Sequence, residues 1–384
     1  MSTGPGRAGL VGHFGRLRIH GRLVFRRART DPALFLGSGQ AASVAEWLAV
    51  NPVDVVFFDC PIGAVQQRNL NNDWKLPVLD RTELILEIFS RRAQSREGKL
   101  QVELAQLEHL SARLVRGWTH LERQRGGIGG RGGPGEKQVE LDRRMLRERV
   151  KKLRAELEQV RKQRANRRRS RYRSGTFRVS IVGYTNAGKS TLFNRLTNAG
   201  TLAADQLFAT LDTLTRKLYL EGVGEIMISD TVGFVRDLPH ALVDAFKATL
   251  EETAEADLLL HVIDASAPDR LDQIAQVQRV LREIGADSLP IIEVYNKIDR
   301  QPPGWQPGPG STVAKGDSPD AVGRCDSIPQ VATSAVTGVG LDSLRDQIAS
   351  IAQRQISTGV SSAKTHDLHS HDTFPSAEHR TDET

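Results

Sequence analysis

Apolar and polar positions follow three different rhythms along this chain. Between residues 31 and 80, short apolar runs are separated by turn-forming residues. Leu34, Phe35 and Leu36 lead into Gly37-Ser38-Gly39, a helical stretch follows over 41–50, and the run 53–59 (VDVVFFD) reads as a buried strand bounded by Asn-Pro and Cys-Pro. From about 82 to 170 the period becomes helical. Leu100, Leu104, Leu107, Leu114 and Trp118 keep a three-to-four spacing, and Leu146, Val150, Leu153, Leu157 and Val160 repeat it. These arms flank the segment 126–135 (GGIGGRGGPG), so the pattern predicts an antiparallel helical hairpin with a glycine-rich loop. From 177 to 353, β-rich runs at 177–182, 225–229, 258–263 and 291–295 alternate with helical stretches, the signature of an α/β fold with a doubly wound, mostly parallel sheet.

The expected organisation is therefore a basic leader at 1–30, a small α/β subdomain at 31–80, a helical hairpin at 81–174 and an α/β nucleotide-type domain at 175–353. Within the last, 301–328 is rich in Pro, Gly and Ser and reads as a loop insertion. Residues 354–384 lose all periodicity and read as a disordered tail, whose scattered histidines have no metal-site spacing. The leader has seven arginines and no Asp or Glu, the charge balance of an organellar address, but it is rich in Gly and poor in Ser. It is taken as a basic terminus leading into a first strand.

Composition narrows the class. Over 384 residues, 39% apolar and 26% charged positions exclude a largely disordered chain. No run of about 18 apolar residues predicts a membrane span. Two cysteines, Cys60 and Cys325, exclude a disulfide framework and fit a reducing, cytoplasmic setting. The net charge of +7 is more informative when divided: residues 81–178 carry 27 Lys/Arg against 12 Asp/Glu, an excess of +15, while the remainder sums to −8. The hairpin and its trailing arm 161–171 (RKQRANRRRSR) are the natural partner of a polyanion.

The chemistry concentrates in the last domain. Gly183, Tyr184, Thr185, Asn186, Ala187, Gly188, Lys189 and Ser190 match G-x-x-x-x-G-K-[ST] between an apolar strand and a helix start. Such a loop wraps backbone N–H groups around phosphate oxygens, with Lys189 on the β- and γ-phosphates and the Ser190 hydroxyl on Mg²⁺. Asn296, Lys297, Ile298 and Asp299 end the run 291–295; the Asp299 carboxylate can accept both N1–H and the 2-amino group of guanine, which adenine does not offer. Asp230, Thr231, Val232 and Gly233 follow the run 225–229, with Asp230 suited to Mg²⁺ in the second shell or through water and the Gly233 N–H to the γ-phosphate. Ser334, Ala335 and Val336 fit a loop packing beside the base through backbone N–H groups. Order and spacing are those of a GTPase.

Further stretches carry a resemblance. Residues 66–70 (QQRNL), 80–86 (DRTELIL), 96–107 (REGKLQVELAQL) and the glycine loop, together with 183–194 (GYTNAGKSTLFN), resemble the HflX family of ribosome-associated GTPases over about 32–350. Phe208, Ala209, Thr210, Leu211 and Asp212 match the family's switch I, and Thr191 its P-loop helix; the resemblance makes Thr210 the second protein ligand of Mg²⁺. It implies GTP hydrolysis carried by Lys189, Thr210 and Gly233, with binding to the large ribosomal subunit and its rRNA. It also implies dissociation of stalled ribosomes under stress, by a protein taken here as a monomer. The hairpin loop would face the peptidyl-transferase region, in keeping with the +15 excess on residues 81–178. A signalling or assembly GTPase with a basic RNA-binding hairpin is the alternative, and a membrane-binding arm is disfavoured because 161–173 offers only Tyr172 as a bulky anchor.

The chain departs from the family pattern in its short basic leader, one extra glycine in 131–136, Thr213 where proline is common, the 301–328 insertion, and a tail where some members have a small domain. Phe234 follows Gly233 where many relatives of this class place a water-orienting glutamine. Slow intrinsic hydrolysis is therefore expected, with the ribosome and a monovalent cation near Asn186 supplying what is missing.

Overall fold

A computed structural model of the chain describes residues 18–26, 29–124, 134–172, 176–198, 213–234, 253–307 and 328–357. Several expected features lie outside them: the glycine loop at 126–133, switch I at 208–212, 308–327 of the insertion, 358–384 of the tail and leader residues 1–17. The stripe positions Leu114 and Trp118 fall in the part of their helix whose side chains are likewise outside the described residues.

The N-terminal part is α1 (Ser38–Val50), β1 (Val56–Phe58), α2 (Ala64–Trp74), β2 (Val78–Asp80) and α3 (Arg81–Arg92), with β1 and β2 in parallel. The expected strand over 53–59 is thus only three residues long. No first strand is present at 34–36 either. There Asp31 Oδ1 accepts the N–H groups of Ala33 and Leu34, both at 2.7 Å, and Phe35 takes a left-handed φ of 63°, which makes a turn. Leu36, Ala41, Val44, Ile62, Leu70, Trp74 and Val78 close a small core.

Asp80 begins α3 with a capping box: its Oδ1 accepts the Glu83 N–H at 2.9 Å, and Glu83 Oε2 accepts the Asp80 N–H at 3.1 Å. The hairpin is α4 (Arg96–Gln124) and α5 (Pro134–Tyr172). Its seam is the expected stripe, with Leu100, Leu104 and Leu107 packed on Val150, Leu153 and Leu157. Arg113 ties α4 to the subdomain, donating Nη1–H to Glu83 Oε1 at 2.6 Å and Nη2–H to the Ile62 carbonyl at 3.2 Å. Burial raises the Glu83 carboxyl pKa, and the Arg113 charge opposes that rise.

The last domain holds a six-stranded sheet in the order β4-β5-β3-β6-β7-β8. Its strands are β3 (Arg178–Gly183), β4 (Leu214–Leu220), β5 (Gly224–Asp230), β6 (Leu258–Asp264), β7 (Ile291–Asn296) and β8 (Gln330–Ala332). All neighbours are parallel except the β4–β5 hairpin. Helices α6 (Lys189–Thr197), α7 (Arg270–Glu283) and α8 (Leu341–Ser357) accompany it, so α8 runs past the expected boundary at 353.

The two faces of the sheet have separate cores. One unites β3–β7 with α6 and α8 around Ile181, Leu192, Phe193, Leu260, Ile292 and Ile348. The other is shared across the expected 174/175 boundary: Ile85, Leu86 and Phe89 of α3 and Val102 of α4 pack in one cluster with Val182, Phe234, Leu259 and Val277.

Candidate functional site

Parallel strands place their carboxyl ends on one edge of the sheet, and the expected motifs converge there. β3 ends in Gly183, and the loop to α6 turns back through Asn186, whose φ is 62°. Gly188 has φ 93°, and a Cβ there would come within 2.2 Å of Asn296 Nδ2, so only glycine lets the phosphate-side loop lie against the base-side strand. Lys189 opens α6 and is 6% exposed; its Nζ donates to the Tyr184 carbonyl at 2.9 Å. Burial pushes its pKa down to about 8, with Asp230 opposing and Lys297 adding to the fall. A buried ammonium of this kind gains most from an anion placed in the loop.

β5 delivers Asp230, fully buried, whose Oδ2 accepts the Ser190 hydroxyl at 2.7 Å. Two hard oxygens side by side beneath a phosphate loop are the donor chemistry that Mg²⁺ selects, so these residues fit that ion. Thr231 donates its hydroxyl to the Ile181 carbonyl at 2.7 Å, and Val232 is core. Gly233 is forced: a Cβ would approach Lys189 Nζ at 3.0 Å and Thr185 Cγ2 at 2.8 Å. Phe234, which stands in place of a water-orienting glutamine, is built into the core. Its N–H donates to the Gly183 carbonyl at 3.1 Å, its carbonyl accepts the Thr185 N–H at 2.7 Å, and its ring is 1% exposed inside the core shared with α3.

On the base side, Asn296 ends β7 and bridges two loops, donating Nδ2–H to the Ala187 carbonyl and accepting the Ala335 N–H, both at 2.9 Å. Lys297, in a left-handed conformation, reaches the Asn186 carbonyl at 2.6 Å. Ile298 packs with Trp305 on Tyr295, and Asp299 Oδ1 accepts the Ser334 hydroxyl at 2.6 Å. Ala335 is buried and Val336 exposed. Thr191 is half-buried in α6.

The structure thus gathers every expected site residue except Phe208, Ala209, Thr210, Leu211 and Asp212, which lie outside the described residues. Two contributors were not anticipated. Asp264, at the carboxyl end of β6, pairs with Lys297 Nζ at 2.8 Å, and Arg195 of α6 donates to the carbonyls of Ala335 and Val336. Asp264 was findable as a carboxylate ending a central parallel strand; Arg195 had no motif to mark it. The arrangement provides a cationic phosphate cradle, a hard-oxygen pair beneath it and a carboxylate that can read a purine edge.

Comparison with known proteins agrees with this layout. Three family models match in chain order: a GTP-binding GTPase N-terminal region over 10–90, a GTP-binding GTPase middle region over 92–171 and a 50S ribosome-binding GTPase over 178–297. GTPase HflX of Escherichia coli (strain K12) is 55% identical over 273 residues, covering 71% of this chain and 64% of that protein. GTPase HflX of Magnetococcus marinus is 52% identical over 284 residues, covering 74% of this chain and 66% of that one. The chain therefore spans slightly less than two thirds of the length of these two relatives. GTPase HflX of Spirochaeta thermophila is 44% identical over 327 residues, covering 85% of this chain and 76% of the relative. On that identity and coverage, the chain belongs to the HflX family of GTPases.

Proposed function

We propose that this chain binds GTP and GDP with Mg²⁺ at the edge of the six-stranded sheet and hydrolyses GTP slowly. We further propose that it couples nucleotide state to its hold on the large ribosomal subunit, so that stalled ribosomes are separated during stress. In this reading it acts in the cytoplasm as a monomer. The observation that carries the proposal is the joining of two half-sites: Asn296 hydrogen-bonds both the phosphate loop at Ala187 and the base loop at Ala335.

Lys189 supports the β- and γ-phosphates and the N-terminal end of α6 adds its positive field. Ser190 and Asp230, with Thr210, would hold Mg²⁺, which supplies charge neutralisation on the phosphates when bound. The Gly233 N–H contacts the γ-phosphate, and Asp299 selects guanine through its N1–H and 2-amino groups. Phe234 offers no group to orient a water, which accords with slow intrinsic turnover and stimulation on the ribosome. The hairpin supplies the docking surface: Arg144, Arg147, Lys151 and Lys152 are exposed along α5, where they suit RNA phosphates.

Sucrose-gradient co-sedimentation with ribosomes tests the reading. The protein is expected to travel with the large subunit when a non-hydrolysable GTP analogue is present, and Lys189→Ala to abolish that dependence. Recovery at the top of the gradient in both nucleotide conditions would overturn the ribosomal assignment.

A further inference from the structure

The base-side loop is held from two directions, and only one of the holders belongs to a recognised motif. From β7, the Asn296 side chain accepts the Ala335 N–H at 2.9 Å. From α6, Arg195 donates Nε–H to the Ala335 carbonyl at 3.1 Å and Nη2–H to the Val336 carbonyl at 2.5 Å. One residue, Ala335, is therefore fixed at its N–H by the base strand and at its carbonyl by the phosphate helix. Ala335 is buried in the core, whereas the Val336 side chain is 64% exposed, so at Val336 the loop is held by the Arg195 hydrogen bond rather than by apolar packing. A planar guanidinium can span two consecutive carbonyls, whereas an ammonium satisfies them only one at a time.

We propose that Arg195 is a specificity-determining positioning residue, which sets the Val336 N–H of the base loop against O6 of the guanine while Asn296 keeps the Ala335 N–H. This rests on the guanine-nucleotide reading above and adds a second, separately supported determinant to it. Asp299 reads the N1 and 2-amino edge and is ordered by the Ser334 hydroxyl at 2.6 Å. The O6 reading depends instead on loop placement, and hydrogen bonds weaken steeply as their angle departs from linear. Loss of Arg195 does not release the whole loop. Its far end stays closed by the Ser334 N–H on the Val339 carbonyl at 2.9 Å and the Gly338 N–H on the Ser334 carbonyl at 2.8 Å. The defect is accordingly confined to the stretch that meets O6. Because Arg195 lies six residues, about 1.7 turns, beyond Lys189 on the same helix, movement of the phosphate helix also moves the base loop.

The test is calorimetric affinity for three diphosphates in the full chain: GDP, inosine diphosphate, which keeps O6 but lacks the 2-amino group, and 6-thio-GDP, which replaces O6 by a weak acceptor. Arg195→Ala is expected to weaken GDP about tenfold. It should shrink the preference for GDP over 6-thio-GDP and leave the preference for GDP over inosine diphosphate unchanged. An equal loss for all three ligands means that Arg195 serves only fold integrity, and no loss means that it does not position the loop; either overturns the proposal. Should Arg195→Ala melt below the assay temperature, Arg195→Lys decides, with a smaller GDP loss and the same narrowed 6-thio-GDP preference expected and an unchanged profile overturning the idea. Failure of the unmodified protein to bind GDP would instead refute the guanine reading itself.

Discussion

Restoring a glutamine at position 234 is the obvious attempt to accelerate hydrolysis, and the structure argues that it will fail in a measurable way. The Phe234 ring is 1% exposed and packs with residues of α3, β3, β6 and α7, while its backbone is paired on both sides with the phosphate loop. Removing a buried phenyl forfeits about 1.5–3 kcal/mol of apolar burial. A glutamine amide placed there without partners adds about 1–3 kcal/mol of uncompensated desolvation. Phe234→Gln should therefore destabilise the chain by about 2.5–6 kcal/mol and give no gain in single-turnover GTP hydrolysis. Phe234→Leu keeps the site apolar and should cost only about 1–2 kcal/mol. Urea unfolding at fixed protein concentration gives the first quantity, and phosphate release from preloaded GTP gives the second. A faster phosphate burst from Phe234→Gln, with an unchanged unfolding midpoint, would refute the reasoning, because it would mean that the side chain leaves the core and reaches the nucleotide.

Two further predictions concern other groups. Asp299→Asn should shift preference from guanine toward xanthine nucleotides, because the amide donates where the carboxylate accepted; retained selection of GTP in competition binding would show that Asp299 does not read the base. His261, 2% exposed in the middle of β6, is held neutral by burial, with Lys189 adding to the effect, and its pKa falls to about 4. The unfolded chain takes up that proton first as the pH drops, so the stability due to a neutral imidazole is complete above about pH 6.5 and is lost toward pH 4, by about 3 kcal/mol. Unfolding midpoints of wild type and His261→Leu, compared between pH 7 and 5, should diverge in slope; parallel curves would exclude the histidine as the source.

The nucleotide site was legible in sequence because its chemistry demands particular side chains at particular spacings. Lys189, Asp230 and Asn296 stand at the start of the helix or at the ends of strands where periodicity placed them, and Asp299 lies in a short 3-10 turn just past β7. What escaped detection depends on contacts between distant segments. Arg195 and Ala335 are 140 residues apart, and nothing in either neighbourhood announces the other. The strand β4 was missed because only Leu218 and Leu220 of its seven residues are buried, leaving too weak an alternation at a sheet edge. The sequence showed that Phe234 replaces a water-orienting glutamine but not where its ring goes, because its core partners in α3, β6 and α7 are distant in the chain. The proposal of a ribosomal partner came from family resemblance; charge alone asked only for a polyanion.

The core that joins α3 and α4 to β3, β6 and α7 bears on how this protein can be dissected or recombined. A fragment beginning at the first strand of the nucleotide domain would lay bare Val182, Phe234, Leu259 and Val277, a contiguous greasy face where the intact chain has helices. Such a fragment is prone to self-association, so its turnover would say little about the catalytic rate of the whole. The hairpin base and the nucleotide domain are bound to melt together, as one cooperative block. Inheritance is constrained in the same way: a graft that swaps the helical hairpin must bring a matching floor with it, or the phosphate loop loses the support on which Phe234 rests.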